Sequence, residues 1–371
     1  MRKIKILHAA DLHLDSPFEG LSAGKAAVRR AEQRELLNRL ASLAGLEQVD
    51  LVLLSGDLLD SGNTYFETGE ELIRHLGRIN APVFIAPGNH DYYSAKSPYA
   101  RLKLPENVHV FQSGNIELVE LKGQGIRVFG AAFVEKHSGP LLDGFRAERV
   151  EGVYNLLCLH GEVGVRDSIY NPVTEAELAD SGIDYAAFGH IHKASGLKKA
   201  GGTWYAWPGC PEGRGFDETG EKSVYIVELE GESCAVRPVS IASRKYECLP
   251  VDVTGTDPLL AIHTQLPDDT VRDIYRIILT GEAEETPDLK RLQVNLAELF
   301  FELQLRDETR LKRNVWDSAG GDTLRGLFLA KLRARYDKAK NETERIRIEQ
   351  AARWGLAALD NTEEVVRHED Q

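Results

Sequence analysis

The chain has 371 residues and a formal net charge of −13. This length exceeds what one compact core usually contains and predicts two or three domains. The excess of acidic residues argues against a general nucleic-acid binder, which usually carries a basic excess. A local basic surface on an acidic protein could still bind nucleic acid. The four cysteines form no CxxC pair, and no run approaches the roughly 20 apolar residues that span a bilayer. Because the chain also opens without a signal-type apolar region, we expect a reduced, cytoplasmic protein without a membrane segment.

Short apolar runs alternate with polar, amphipathic stretches, which is typical of α/β proteins. The runs are KIKILHAA, VDLVLLSG, APVFIAPG, IRVFGAAF, YNLLCLHG and DYAAFGHI, with helix-like stretches at 24–45 and 67–79 between the first three. Strands this apolar suit a sheet covered on both faces. The later TWYAWPG and KSVYIVELE follow without helices and favour a second, mostly antiparallel sheet. We therefore predict two packed sheets flanked by helices through about residue 243.

Beyond residue 243 the pattern changes to strand, helix, strand, helix and strand. These elements are KYECLPVDV, DPLLAIHTQL, IYRIILTG, residues 287–297 and LFFELQLRD. Two charged helical segments follow at about 323–338 and 342–359. The sequence therefore predicts three parts, at 1–243, 244–315 and 316–371, of which the second is a small α+β unit.

Metal-competent side chains follow almost every early strand. They are Asp11 and His13 in ADLHLD, Asp57 in SGDLLD, Asn89 and His90 in PGNHD, His160 in CLHGE, and His190 and His192 in FGHIHK, and the glycines beside them are Gly56, Gly88, Gly161 and Gly189. Ligands in α/β sheets collect outside the carboxyl ends of the strands, and glycines permit tight turns there. In an extended segment, residues i and i+2 point to the same face, so Asp11 with His13 and His190 with His192 are expected chelating pairs.

Leaving His90 aside, this set offers two carboxylates, one amide oxygen and four imidazoles. Such a mixed nitrogen and oxygen set without thiolate suits Mn²⁺, Fe²⁺ or Zn²⁺. The five motifs D-x-H, G-D, G-N-H-[DE], H-G and G-H-x-H occur in this order, each after an apolar run. We therefore predict a two-metal site.

A single histidine at a strand end is more often a hydrogen-bonded core or surface residue. We keep this interpretation for the remaining histidines, which are His8, His75, His109, His137, His263 and His368. Cys158 lies two residues before His160 and could share its face. A buried structural thiol is the better interpretation of Cys158.

Together these motifs resemble the calcineurin-like metallophosphoesterases. Within that family, ILHAADLHLDSP, GDLLDSG, PGNHD and FGHIHK resemble the SbcD-type DNA repair exonucleases, and WPGCPEGRGFDETGEKSVYIVEL looks most like the YhaO branch. The resemblance covers about residues 1–243 strongly and 244–371 only in layout. It implies a four-layer αββα sandwich, a small α+β capping domain at 244–315 and a C-terminal helical partner-binding segment at 316–371.

The resemblance also implies how the ligands are shared between two metal ions. One ion would be held by Asp11, His13, Asp57 and His192, and the other by Asp57, Asn89, His160 and His190, with Asp57 as the bridge. Some relatives have a histidine three residues after the bridging aspartate, thought to help steer the DNA end. This chain has Asp60 there, so the histidine-dependent step is not carried over.

Two divalent ions that share a water lower its pKa towards neutrality and hold it in line with a phosphodiester phosphorus. His90 is next to the predicted ligand Asn89 and is the expected group to stabilise the phosphorane or protonate the leaving oxygen. Asp91 is expected to orient the His90 ring. The alternative for Asp91 is a plain turn carboxylate.

The site motifs alone would serve a phosphoprotein phosphatase, a cyclic-nucleotide phosphodiesterase or a nucleotide pyrophosphatase equally well. The added domains favour a polymer, and the resemblance implies a Mn²⁺-dependent DNA exonuclease or endonuclease in DNA repair, with a coiled-coil SMC-like ATPase partner. Fe²⁺ and Zn²⁺ are alternative metals, and a homodimer stays open. Two other functions are kept: a metallophosphatase or nucleotide phosphodiesterase acting on small or protein substrates, and a non-catalytic assembly scaffold for the ATPase.

The C-terminal segment is locally basic, although the chain as a whole is acidic. Residues 325–347 carry eight Lys/Arg against three Asp/Glu, and Leu324, Leu327, Phe328 and Leu332 form an apolar stripe at helical spacing. One interpretation is an ordinary amphipathic surface helix. The other is a dock for the ATPase partner.

Overall fold

The computed structural model describes residues 2–61, 64–312, 315–317, 319–320 and 323–359. The strands, in chain order, are β1 (Ile4–Ala9), β2 (Leu51–Leu54), β3 (Val83–Ile85), β4 (Val108–Val110), β5 (Glu117–Leu121), β6 (Ile126–Gly130), β7 (Tyr154–His160), β8 (Glu162–Val163), β9 (Pro172–Val173), β10 (Tyr185–Gly189), β11 (Lys198–Ala200), β12 (Thr203–Ala206), β13 (Val224–Glu230), β14 (Ser233–Val239), β15 (Tyr246–Asp252), β16 (Ile274–Thr280), β17 (Glu282–Ala283), β18 (Glu302–Asp307) and β19 (Arg310–Leu311). The helices are α1 (Ala23–Glu47), α2 (Phe66–Leu76), α3 (Pro98–Arg101), α4 (Glu175–Asp180), α5 (Pro258–Gln265), α6 (Leu289–Leu296), α7 (Leu324–Tyr336) and α8 (Glu342–Leu359), with a 3₁₀ turn at Ala297–Leu299. The strands and helices predicted from the apolar runs are confirmed.

The first large sheet has the strand order β14-β13-β1-β2-β3-β4. Strands β1 to β4 are parallel, and Ile6 of β1 lies opposite Leu51 of β2. Strand β13 pairs antiparallel with β1, and β14 pairs antiparallel with β13. All four residues of β2 are buried, as expected for a parallel strand covered on both faces.

The second large sheet has the order β11-β12-β10-β7-β6-β5, and its four central strands are parallel. The prediction of a mostly antiparallel second sheet is therefore wrong. Strand β11 runs opposite to β10 but does not pair with it, because β12 lies between them in the sheet. Strand β12 pairs antiparallel with β11 and therefore runs parallel to β10. The KSVYIVELE segment, which contains β13, joins the first sheet instead. Strand spacing along the chain did not reveal these sheet assignments.

Three apolar clusters separate four layers. Leucines of α1 and α2, such as Leu40 and Leu72, pack with Leu54 on the outer face of the first sheet. A second cluster lies between the two sheets, and a third packs the outer face of the second sheet against Leu178 of α4. Alternate residues of β1 enter the first two clusters, because side chains of a strand point to opposite faces. The predicted four-layer αββα sandwich is confirmed.

The chain divides into two compact units. The first contains Met1–Leu249, Leu266–Ile277 and Lys290–Arg306, and the second contains Pro250–Gln265, Ile278–Leu289 and Asp307–Gln371. The three-part division at residues 243 and 315 stays a prediction. Among the described residues, no helix combines the length and apolar character that crossing a membrane requires.

In the second unit, α7 and α8 pack against each other around Trp316, Leu329 and Ala352. A Cβ on Gly355 of α8 would clash with the ring of Phe328 on α7, so that close approach requires glycine. Two members of the predicted apolar stripe, Phe328 and Leu332, thus lie in this contact. The other two, Leu324 and Leu327, are 72% and 56% exposed.

Candidate active site

The predicted site residues lie at the carboxyl ends of both large sheets. On the first sheet, Asp11 and His13 follow β1, Asp57 follows β2, and Asn89 and His90 follow β3. On the second sheet, His160 ends β7, and His190 and His192 follow β10. The site is therefore assembled from both sheets.

Four of these residues hold a left-handed backbone, which side chains other than glycine rarely adopt. The φ angles are 54° at Asp11, 44° at His13, 51° at Asp57 and 94° at His190. Non-glycine residues with such angles persist where the surrounding structure fixes them, commonly at functional sites. The chain is therefore not extended at these positions, contrary to the i, i+2 argument.

The structure divides His190 and His192 between two groups of potential ligands, because the backbone turns at His190. Asp11 and His13 do lie in one group. The glycines beside the predicted ligands permit close packing of neighbouring groups as well as tight turns. A Cβ on Gly88 would clash with the Asp57 carboxylate, and a Cβ on Gly189 would clash with the Ser55 carbonyl, although neither glycine has a positive φ.

Three groups of side chains have ligand atoms within 4.8 Å of one another. They are Asp11, His13 and His192; His13, Asp57 and His90; and Asp57, His160 and His190. The first and third correspond to the two metal positions that the resemblance implies. Asp57 is the carboxylate that connects the second and third groups.

In the first group, His13 is buried and its Nε2 lies 3.2 Å from Nε2 of His192. Burial lowers the pKa of His13 to about 4, so this imidazole is neutral. Its Nδ1 lies 3.1 Å from Oδ1 of Asp60 and donates to that carboxylate. The Nε2 lone pair therefore points into the site, towards Asp57 Oδ2 at 3.8 Å.

In the third group, Asp57 and His160 form a buried ion pair. Their Oδ2 and Nε2 atoms are 3.4 Å apart. Although burial alone would lower it, the Asp57 carboxylate raises the pKa of His160 to about 9. For Asp57 the directions are reversed. Burial alone would raise the pKa of Asp57, but the His160 imidazolium holds this pKa below its usual range. In the absence of a metal ion, this group retains a proton at neutral pH.

The side chains of Asn89 and His190 complete the third group. Asn89 Oδ1 lies 2.9 Å from Nε2 of His160 and 3.1 Å from Nδ1 of His190. The other nitrogen of His190, Nε2, is 3.3 Å from Glu162 Oε1. Burial lowers the pKa of His190 to about 4, so this imidazole is neutral.

His90 is exposed, and its backbone N–H donates to Asp57 Oδ1 at 2.9 Å. Its Nδ1 is 3.0 Å from the Asp60 carbonyl oxygen, so a backbone group orients the ring. The Asp91 carboxylate is buried and accepts from the backbone N–H groups of Asp57 and Gly88. It also accepts from Leu58 N–H, Leu59 N–H and the Tyr99 hydroxyl.

Within the described residues, these bonds fit the turn-carboxylate interpretation of Asp91 and differ from the expected contact with the His90 ring. Asp91 holds the backbone that carries Asp57. A direct catalytic role for Asp91 stays a prediction.

The other described histidines lie outside the three groups, as expected from their interpretation as core or surface residues. His8 is buried between the sheets, where its Nδ1 accepts from the Tyr185 hydroxyl at 2.8 Å. His368 lies outside the described residues. Cys158 is fully buried, and burial raises the pKa of its thiol to about 12, which fits a structural thiol.

Sequence reasoning missed three side chains that contact the site histidines. Glu218 Oε1 is 2.6 Å from Nδ1 of His192, and Glu162 contacts His190 on the other side of the site. Arg214 Nη2 is 3.2 Å from Nδ1 of His192, and Arg214 also contacts Glu218 and Asp60. Arg214 and Glu218 lie in the WPGCPEGRGFDETGEKSVYIVEL segment. Their i, i+4 spacing after a strand was the available signal, but the contact with His192 depends on how that segment folds back.

The donor set fits divalent metal ions. Nδ1 of His13, His160 and His192 each donates away from the site, to Asp60, the Ser55 carbonyl and Glu218, respectively. This fixes Nε2 as the inward atom, the arrangement in which histidine usually binds a metal. The buried Asp57 carboxylate, 3.4 Å from Nε2 of His160, supplies negative charge at the place where a cation would bind.

The fold and this site define a metal-dependent phosphoesterase. Residues 4–194 match the family model "Calcineurin-like phosphoesterase", and the chain belongs to that family. It is similar to the "Uncharacterized metallophosphoesterase YhaO" of Bacillus subtilis, with 28% identity over 84% of this chain and 80% of that protein. It is also similar to the "DNA double-strand break repair protein Mre11" of Saccharolobus solfataricus, with 24% identity over 82% of this chain and 83% of that protein. A third relative is the SbcD component of the nuclease SbcCD of Bacillus subtilis, with 24% identity over 65% of this chain and 71% of that protein.

The predicted resemblance is therefore confirmed. The protein is a hydrolase of phosphoester bonds, and its fold implies two divalent metal ions.

Proposed function

We propose that this protein is a Mn²⁺-dependent two-metal phosphodiesterase that cleaves DNA in repair or end processing. The observation that carries the proposal is the set of three adjoining ligand groups, which are connected through His13 and Asp57 and receive contributions from both sheets. The names of the Mre11 and SbcCD relatives support DNA as the substrate. Four free cysteines suit a reducing, cytoplasmic setting.

One metal ion would be held by Asp11, His13, Asp57 and His192, and the other by Asp57, Asn89, His160 and His190. When bound, such a pair activates a water for in-line attack and neutralises charge on the phosphate oxygens. The mixed nitrogen and oxygen donors suit Mn²⁺, with Fe²⁺ and Zn²⁺ as competitors.

Side chains of the protein itself position the Asp57 ligand and supply a proton to the leaving oxygen. His90 is exposed beside the buried ligands, and the Asp60 carbonyl oxygen holds its Nδ1–H. Its Nε2 is then the atom that can deliver a proton to the leaving oxygen or stabilise charge on the phosphorane. Asp91 fixes the turn from which Asp57 projects.

The first experiment compares hydrolysis of bis-p-nitrophenyl phosphate with that of p-nitrophenyl phosphate in the presence of Mn²⁺. Preference for the diester supports the nuclease. Preference for the monoester would favour a metallophosphatase, and bound metal without hydrolysis would favour a non-catalytic scaffold. Repeating the assay with Fe²⁺ and Zn²⁺ at equal concentration tests the metal.

The second experiment uses end-labelled single-stranded and double-stranded DNA with Mn²⁺. We expect shortening of at least one substrate by the wild-type protein and much weaker shortening by His90→Ala. The variant is the control for a contaminating nuclease, because a contaminant would be present in both preparations and would cleave the DNA equally in both. Diester hydrolysis without any DNA cleavage would contradict DNA as the substrate.

The resemblance further implies a coiled-coil ATPase partner. The exposed side chains of Leu324 and Leu327 on α7, with the basic residues of 325–347, supply an apolar and positively charged surface for such a partner.

A further inference from the structure

A buried carboxylate holds the ring of His192 in one orientation. Glu218 is 5% exposed, and its Oε1 accepts from Nδ1 of His192 at 2.6 Å. The ring therefore presents Nε2 to the site, 3.9 Å from Asp11 Oδ1.

Asp60 performs the same task for His13. Its Oδ1 accepts from Nδ1 of His13 at 3.1 Å. Both imidazoles of the first ligand group are thus held from behind by carboxylates. Carboxylates in this position fix the ring and increase the basicity of the inward nitrogen.

Arg214 joins the two carboxylates. Its Nη1 donates to Asp60 Oδ1 at 3.1 Å, and its Nη2 donates to Glu218 Oε1 at 2.8 Å. Its Nε lies 3.3 Å from Glu218 Oε2. Because all three nitrogens face acceptors, Arg214 serves these carboxylates and is poorly placed to bind a substrate phosphate.

The backbone that carries Arg214 and Glu218 is itself anchored to His192. Gly209 has φ 78°, and a Cβ there would lie 2.7 Å from the His192 carbonyl oxygen. The next residue, Cys210, donates its N–H to that oxygen at 3.3 Å. The 209–218 segment therefore contacts both the backbone and the ring of His192.

Helix α1 fixes the middle of the same segment. Arg29 is fully buried and donates to the Gly213 carbonyl oxygen at 3.1 Å. It also forms a buried ion pair with Glu212. These contacts limit how far Arg214 and Glu218 can move, because a buried guanidinium left without its partners is costly.

The second metal position is supported differently. His160 donates Nδ1–H to the Ser55 carbonyl oxygen at 2.9 Å, and His190 faces Glu162. Within the described residues, Asp60, Arg214 and Glu218 form no hydrogen bond with His160 or His190. The two positions therefore differ in what holds their histidines.

We propose that Asp60, Arg214 and Glu218, here called the brace, are positioning residues for one of the two metal positions. The brace orients His13 and His192 and raises the metal affinity of their position, while the Asp57, His160 and His190 position is independent of it. The inference rests on the two-metal centre of the proposed function. It gives Asp60 a role that does not involve steering DNA.

The test is calorimetric titration of the metal-free full chain with Mn²⁺, without substrate. Wild type should bind two equivalents, and Glu218→Ala should weaken one of them by roughly 10–100-fold while leaving the other within about threefold. Glu218→Gln keeps an acceptor oxygen for Nδ1–H and should recover most of the loss. Electron paramagnetic resonance at limiting Mn²⁺ should show isolated ions in Glu218→Ala where wild type shows a coupled pair.

The matched control is Glu221→Ala. Glu221 lies three residues further along the chain, but its side chain is 72% exposed and pairs with Lys245. It should bind both equivalents as wild type does. If Glu218→Ala does not fold, as judged by thermal unfolding without metal, Asp60→Ala provides the same test through His13, and Asp60→Asn is then the variant that should recover most of the loss.

Equal weakening of both equivalents, or no weakening of either, would overturn the proposal. So would a Glu218→Gln variant as weak as Glu218→Ala, because ring orientation would then not explain the loss. Because no substrate is present, a chain that binds two equivalents but fails to cleave DNA would contradict the proposed function and leave the brace intact.

Discussion

Asp57 Oδ2 lies 3.4 Å from Nε2 of His160, and this contact joins the two large sheets. Asp57 follows β2 of the first sheet, and His160 ends β7 of the second. The same carboxylate oxygen is 3.8 Å from His13 Nε2. These two contacts support the proposed role of Asp57 as the bridge between two metal ions.

Replacing Asp57 by asparagine should weaken both metal positions together. The change removes a shared anionic ligand, whereas His192→Ala removes one neutral ligand from one position. Metal analysis after dialysis should give well under two equivalents for Asp57→Asn and about one for His192→Ala. Two full equivalents retained by Asp57→Asn would exclude the bridging role.

His90→Ala should separate catalysis from metal binding. The backbone N–H of His90, not its ring, donates to Asp57, so the substitution keeps that hydrogen bond. We expect near-normal metal content and a turnover reduced by roughly 10²–10⁴-fold, the usual contribution of a positioned acid or base.

Metal analysis and the steady-state rate on a model diester check this prediction together. His263→Ala, at an exposed histidine of α5, is the control and should change neither quantity. A metal-depleted His90→Ala protein would make His90 a ligand, which its nearness to His13 and Asp57 allows.

Tyr185→Phe should lower the free energy of unfolding. The Tyr185 hydroxyl and His8 Nδ1 are 2.8 Å apart between the sheets, and both residues are fully buried. Without the hydroxyl, His8 keeps a buried nitrogen without its partner, which costs about 1–3 kcal/mol. Denaturant unfolding measures the difference, with Tyr65→Phe at an exposed tyrosine as the control. A loss below about 0.5 kcal/mol, typical of neutral surface changes, would show that the hydrogen bond adds little.

Removing the C-terminal helices should abolish the proposed binding of an ATPase partner but not the hydrolysis of phosphodiesters. Every predicted metal ligand precedes residue 193, so a chain ending at Lys312 should still cleave short model diesters. An end at Gly320 is less suitable, because it would leave Trp316 without the helices that it packs against. Pull-down with the coiled-coil ATPase should fail, as should weak, salt-sensitive DNA binding by the lost Lys and Arg residues.

The double substitution Leu324→Asp with Leu327→Asp should reproduce the partner defect in the full chain. Both side chains are exposed, whereas Phe328 packs against α8 and its replacement would disturb the packing of α7 against α8. Leu46→Asp with Val294→Asp, at two other exposed apolar positions on helices, is the matched control. Partner binding unaffected by both the truncation and the double substitution would show that these helices do not dock the ATPase.

The sequence by itself determined the main strands and helices and the set of candidate ligands. Apolar runs define buried strands because burial requires apolar side chains, and candidate ligands such as Asp57 and His160 lie where those runs end. The motif order was sufficient to indicate the family. Even the alternative interpretation of Asp91, a turn carboxylate, was accessible from its place beside a tight turn.

Only the tertiary structure decided which strand joins which sheet and which groups stand behind the ligands. Strand β12 runs parallel to β10 because β11 lies one place away, a relationship between distant segments that local periodicity does not encode. Likewise, Glu218 meets His192 only because the 209–218 segment folds back onto it. Local sequence patterns specify what a residue can bind, whereas contacts across the chain depend on the packing of the whole domain.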